Sequence, residues 1–216
     1  VRQPLTAIVT NGEAGLRWLD RDSPDLQEVR QTLTRMIEEG KRANDVTRRI
    51  QAMLRKEEPK KLALDLNDVV KEAVPLVRSE LSRHRVVLKL DLKDSLPPTN
   101  GDRIQLQQVI INLLLNGIHA MDEVYERPRE LLVQTRQEEE GLLLIQVRDG
   151  GTGIDPAHMR QLFNSFFTTK ANGMGMGLSI CRSIIETHGG RIWASANAGP
   201  GATFHITLPP ALEAAL

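Results

Sequence analysis

Apolar residues recur at alternating three- and four-residue steps twice in the first quarter of the chain. Leu5, Ile8, Gly12, Gly15 and Leu19 form one stripe, flanked by Val9 and Leu16. Leu26, Val29, Leu33, Met36, Gly40, Ala43, Thr47, Ile50 and Leu54 form the next. Such steps keep one helix face turned toward a partner. Between them, residues 20–25 read as a turn, with Ser23 as cap and Pro24 as the first helical residue. Two helices joined this way form an antiparallel hairpin, which buries only one face of each. The pattern predicts an all-α hairpin over residues 1–55 and a homodimer through it, two hairpins making a four-helix bundle.

Residues 56–61, Lys-Glu-Glu-Pro-Lys-Lys, hold no apolar side chain and read as a linker. A second domain, 62–216, follows. Residues 62–66 suggest a short strand, and Asn67 a cap for a helix carrying Val69, Val70, Ala73, Val74 and Val77, with Pro75 a candidate kink. Alternation over 86–92 predicts a half-buried strand, and 96–101 a turn. From Asp102 to Met121 the period is helical again. Residues 131–136 and 142–147 predict a strand pair, 178–187 a helix, and 191–196 with 202–208 a closing pair of strands. The second domain is therefore expected to be an α+β two-layer sandwich, with its helices on one face of a mixed sheet.

Composition narrows the function classes. Lys+Arg and Asp+Glu balance at 28 each, and no like-charge run forms a nucleic-acid stripe. No apolar run reaches the length of a membrane span, and no signal peptide is visible. The one cysteine, Cys181, reads as a small helix residue and fits a reducing compartment, so the expected location is cytoplasmic.

The chemistry concentrates between Asp149 and Gly177. This stretch holds six of the 16 glycines, in Asp149-Gly-Gly-Thr-Gly153 and Gly173-Met-Gly-Met-Gly177, with Lys170 between them. Glycines let backbone N–H groups approach closely, and a helix N-terminus attracts anions, so strand, glycine loop, second glycine loop and helix make a layout for phosphates. Asn112 and Asn116 lie one turn apart on an otherwise apolar helix. Their amides either bond to neighbouring backbone or serve as hard neutral ligands for Mg²⁺ that takes its charge from phosphate. Asp149, ending an apolar run, either holds loop N–H groups or accepts from an exocyclic amine such as that of adenine.

Taken in order, Asn112-x-x-x-Asn116, Asp149-x-Gly-x-Gly153, Phe163-x-x-Phe-Phe-Thr-Thr-Lys170 and Gly173-x-Gly-x-Gly-Leu-Ser179 resemble four boxes of the sensor histidine kinases of bacterial two-component systems. The short Phe-Phe-Thr-Thr-Lys segment is most similar to the oxygen-sensor and nitrogen-regulation kinases. Arg2-Gln-Pro-Leu-Thr-Ala-Ile8 resembles the segment that follows the phosphoacceptor histidine, and His188-Gly-Gly-Arg-Ile192 and Gly199-Pro-Gly-Ala-Thr-Phe204 also match. The resemblance implies a dimerisation and phosphotransfer hairpin followed by an ATP-binding domain of the histidine kinase, gyrase and chaperone ATPase type. It implies Mg²⁺ and phosphates on Asn116 with Asn112, and adenine on Asp149, walled by Gly151 and Gly153. Lys170, Gly173, Gly175 and Gly177 would close over the phosphates, and Thr203 would support the adenine side through a water. It further implies a response-regulator receiver domain as partner and a sensor domain upstream.

The sequence departs from that family in four places. The motif His-Glu-x-x-x-Pro, registered on Pro4, puts the histidine two residues before Val1. None of His84, His119, His158, His188 and His205 sits in that pattern, and each reads as a surface or packing residue. The expectation is a piece of a longer kinase that binds ATP without phosphorylating itself. The rival is a docking scaffold with nucleotide as a structural ligand. Gly117 stands where Ala is usual, admitting close approach of ligand or backbone at about 1 kcal/mol of helix stability. His119 stands where an acid is common and is expected near the phosphates, where it would make their binding pH-sensitive. Gln3 replaces the Thr or Asn of strong phosphatases and leaves that activity open.

Overall fold

The structure, a computed structural model, describes residues 2–37, 39–40, 61–169 and 175–211. The chain divides into two compact units, Val1–Glu58 and Pro59–Leu216.

In the first unit, α1 (Arg2–Leu19) and α2 (26–37) run antiparallel. The small residues of the first stripe are where they come closest. A Cβ on Gly12 would sit 3.3 Å from Met36 Cε, and one on Gly15 would sit 2.8 Å from Thr32 Oγ1. The cap of α2 is Asp25 rather than Ser23: its Oδ1 accepts the Gln27 and Glu28 N–H groups at 3.1 Å each. Pro24 therefore precedes the helix. A carboxylate that reaches two orphan donors outcompetes a hydroxyl further back. The rest of the second stripe and the predicted linker up to residue 60 lie outside the described residues. The pair leaves a set of apolar side chains uncovered: Val9, Leu16, Leu19, Leu26, Leu33 and Ile37 are each 42–70% exposed.

The second unit is an α+β sandwich. Its sheet joins β2 (Val87–Leu92), β4 (Glu130–Gln137), β5 (Leu143–Asp149), β7 (Ala202–Leu208) and β6 (Arg191–Ala196) in the order β2-β4-β5-β7-β6. Only β2–β4 is parallel. Strand alternation sorts the two faces. Val133, Val147 and Phe204 sit side by side on the inner face and are buried. The next row outward, Asp91, Gln134, Gln146, His205 and Trp193, is polar except at its end. Gln134 donates to Asp91 at 2.6 Å, and the His205 ring stacks on Trp193 at 4.9 Å.

Three helices cover the inner face: α3 (Leu66–Arg83), α4 (Arg103–Ala120) and α5 (Gly177–Thr187), with α4 between the other two. α3 runs through Pro75 without interruption. Its cap is Asp65, which accepts the Asn67 N–H at 2.7 Å. Asn67, the expected cap, is instead buried, donating to the Lys93 carbonyl at 2.9 Å and accepting from Thr135 Oγ1 at 2.7 Å. Asp102, where the helical period was expected to begin, caps α4, accepting from Ile104 and Gln105. Leu106, Val109, Ile110, Leu113, Leu114 and Ile118 seat α4 on the sheet.

Part of the predicted turn at 96–101 is a strand. β3 (Thr99–Gly101) pairs antiparallel with β1 (Leu62–Leu64). Thr99 Oγ1 donates to the Pro209 carbonyl at 2.7 Å, and the Ala211 N–H donates to the Pro98 carbonyl. His188 ties the end of α5 to the start of α4: Nδ1–H donates to the Ile184 carbonyl at 2.7 Å, and Nε2 accepts the Asp102 N–H at 2.9 Å. A carbonyl can only accept and an amide N–H only donate, so these partners select the neutral ring. Burial moves its pKa the same way, below the ordinary 6.5, with Lys61 adding to the effect and the Ile184 bond and Asp102 opposing it. Among the described residues, no helix is long and apolar enough to cross a membrane.

Candidate functional site

The core-facing side of α4 sets the site, because burying its apolar face leaves Asn112 and Asn116 half-buried on the remaining arc. Neither amide makes a side-chain hydrogen bond to another described residue. The backbone-bonding alternative for this pair is therefore not what the structure contains. Two neutral oxygen donors one turn apart fit a hard cation that keeps its waters and takes its negative charge from a phosphate chain.

Gly117 explains how this helix meets the strand beside it. A Cβ there would fall 2.6 Å from Leu131 Cδ1 and 3.3 Å from Asp149 Cβ. The glycine thus lets α4 settle onto the sheet next to Asp149, and the approach it admits is that of the sheet. His119 packs edge-on against the His84 ring, centroids 5.4 Å apart.

Asp149 is buried at the end of β5. Its Oδ1 accepts the Gly151 N–H at 2.9 Å and the Ala202 N–H at 3.3 Å. The loop-binding alternative is therefore realised at that oxygen. The wall around it is made by backbone in contact with backbone. A Cβ on Gly151 would lie 2.5 Å from the Ala120 carbonyl oxygen, and one on Gly201 would lie 2.0 Å from that of Asp149. Gly153 adopts φ +83°, a conformation costly for any residue with a Cβ.

Three residues that sequence reasoning did not single out complete this wall. Asn197 Nδ2 donates to the Asp149 carbonyl at 2.9 Å and to Pro200 at 3.0 Å. Arg127 donates to the Gly150 and Gly151 carbonyls, both at 2.9 Å. Gly201 supplies the close approach. Thr203, expected on the adenine side, is buried on β7 and gives its hydroxyl to Asn197 Oδ1 at 2.7 Å. The signal for Asn197 and Gly201 lay in the loop Asn197-Ala-Gly-Pro-Gly201 ahead of a strand that pairs with β5; Arg127 carried none.

Lys170 and Gly173 lie outside the described residues. Gly175 does not: it adopts φ +66°, and its carbonyl accepts the Phe166 N–H at 2.9 Å. Phe163 is buried edge-on to Phe204, with the Arg182 guanidinium over its ring at 5.0 Å. Gly177 opens α5. Met176, ahead of it, makes no side-chain cap, and nothing lies within 4 Å of where a Gly177 Cβ would be. Among the described residues, then, no side chain caps this helix start, the kind of N-terminus that attracts anions.

Comparison with known proteins bears on the family and the fold. The family model for "Histidine kinase-, DNA gyrase B-, and HSP90-like ATPase" matches residues 101–212. Sensor histidine kinase TmoS of Ectopseudomonas mendocina is 37% identical over 97% of this chain and 22% of its own length. Sensor protein FixL of Bradyrhizobium diazoefficiens is 38% identical over 99% of this chain and 42% of its own. The chain therefore spans less than half of these relatives. Among solved structures, the catalytic domain of histidine kinase ThkA is 29% identical, with TM-score 0.61 over 69% of this chain and 95% of that one. ThkA in complex with response regulator protein TrrA shares the fold over 96% of this chain and 59% of that one, with TM-score 0.74 at 23% identity. The chain belongs to the histidine kinase-, DNA gyrase B- and HSP90-like ATPases, and within them to the sensor histidine kinases.

Proposed function

We propose that this chain is the ATP-binding and phosphotransfer portion of a two-component histidine kinase. The carrying observation is the pair of unpartnered amides on α4 beside a glycine-walled, buried carboxylate. Asp149 takes the adenine amine, with Gly151 and Gly153 as its wall, while Thr203 acts through Asn197 rather than on the base directly. The start of α5, with Gly175 and Gly177 and with Lys170 and Gly173 alongside, closes over the phosphates. Asn116, with Asn112 beside it, holds Mg²⁺, which neutralises charge on the transferring phosphoryl group when bound.

The γ-phosphoryl of ATP passes to an imidazole nitrogen on the hairpin, releasing ADP, and then to an aspartate of a response-regulator receiver domain. The register of Pro4 in the family motif assigns that histidine to the position two residues ahead of Val1. The uncovered apolar side chains of α1 and α2 (Val9, Leu16, Leu19, Leu26, Leu33 and Ile37) favour a homodimer through residues 1–55, a four-helix bundle joined by the 56–61 linker to the 62–216 domain. An upstream sensor domain acts on that bundle. The response-regulator partner is supported by the fold shared with ThkA bound to TrrA. The reading is of a cytoplasmic chain that contacts neither nucleic acid nor membrane.

Titration of a non-hydrolysable ATP analogue with Mg²⁺ tests the site. Asn116→Ala and Asp149→Ala should each weaken binding at least about tenfold, as expected for losing 1.4 kcal/mol or more of polar contact. Unchanged affinity in both variants overturns the assignment.

A further inference from the structure

We propose that Glu80, His84 and His119 form a binding site for a divalent transition-metal ion of the zinc class. Glu80 and His84 are four residues apart at the end of α3 and so share a face. His84 Nε2 lies 3.3 Å from Glu80 Oε2. His119, at the end of α4, brings a second imidazole, and one ligand atom from each of the three lies within 4.8 Å of the others. Two donors bound to one tetrahedral zinc ion stand about 3.3 Å apart, which is the His84–Glu80 separation.

The surroundings fix which nitrogen faces the ion. Asp122 Oδ1 lies 2.5 Å from His84 Nδ1, so a metal bound at the opposite nitrogen, Nε2, would find the ring held from behind. A carboxylate behind a ligating histidine is the arrangement that orients the ring and raises its basicity. Arg129 holds that corner, donating to the carbonyls of His84 at 2.8 Å, Val124 at 2.8 Å and Asp122 at 3.2 Å. Arg83 approaches Glu80 at 3.6 Å, but its side chain is 72% exposed and competes weakly for the carboxylate. Two imidazoles and one carboxylate suit zinc, nickel, cobalt or copper; magnesium and calcium prefer an all-oxygen shell.

The test is competition of Zn²⁺ against a chromophoric chelator on the 216-residue chain, with the absorption of bound Co²⁺ reporting coordination. The expected result is one ion per chain. His119→Gln and Glu80→Gln should abolish the competing site. Asp122→Asn should weaken it about 10–100-fold with stoichiometry kept. His158→Gln and Asn116→Ala should leave it intact, which separates it from the nucleotide site. Thermal unfolding of each variant shows whether a loss reflects the ligand or the fold; His119→Gln decides if the others unfold. No Zn²⁺ uptake by the wild-type chain, or uptake unchanged in His119→Gln, overturns the proposal and leaves a hydrogen-bonded network.

Discussion

A methyl group on Gly201 would sit 2.0 Å from the Asp149 carbonyl oxygen, whereas one on Gly177 would meet nothing within 4 Å. The two glycines therefore answer different demands. Gly201 also has φ +93°, so Gly201→Ala meets both a steric block and backbone strain, and should destabilise the domain by more than about 2 kcal/mol in urea unfolding. Gly177→Ala should leave stability unchanged or raise it by up to about 1 kcal/mol. If the open space at Gly177 belongs to phosphate, the same variant should nonetheless bind the ATP analogue more weakly; equal affinity would assign that glycine no part in binding. Residues of this kind differ in how far sequence alone reveals them. Asp149 stood out as an acid ending an apolar run, and the two asparagines as amides on an apolar helix. Arg127, inside Tyr125-Glu-Arg-Pro-Arg129, looks like any solvated charge, because its carbonyl partners are more than twenty residues away.

At the scale of elements, His188 joins the end of α5 to the start of α4, and its protonation would break that joint. Its folded pKa lies below 6.5, so the folded state binds fewer protons than the unfolded one just below that value. The stabilisation is therefore fully present above 6.5 and lost as pH falls from there toward the folded value. Melting temperature should drop between about pH 7.5 and 5.5, and His188→Gln should show a shallower drop across the same window. His205, also shifted down by burial against the opposing charge of Glu138, adds to the slope that remains. The long periodic elements were legible: α4 from its Asp102 cap to Met121, and β4 with β5 around the Glu138–Gly141 turn. The caps of α2 and α3 each lay two residues from the expected position, since Asp stands beside Ser23 in one turn and beside Asn67 in the other, and all three types can cap. Asn67 was already claimed by Lys93 and Thr135, which a local pattern does not show. β3 was missed because Thr-Asn-Gly has no apolar alternation and pairs with residues far away in sequence.

For the whole molecule, the exposed stripe of Val9, Leu16, Leu19, Leu26, Leu33 and Ile37 is the feature with the largest consequence for assembly. Burying side chains of this size stabilises by about 1.5–3 kcal/mol each. Sedimentation equilibrium should give twice the chain mass, and Leu16→Gln with Leu33→Gln should shift the population to monomer without altering ATP-analogue affinity. A wild-type monomer at high concentration would remove the dimer from the reading. The second unit carries a mechanical consequence of its own. Its first strand pairs with β3, and its last strand runs on into Pro209 and Ala211, bonded to Thr99 and Pro98. The first and last described residues of this unit thus meet at one corner of it. A pull applied at residues 61 and 211 should therefore load the β1–β3 pair and these two hydrogen bonds before the helices that cover the sheet.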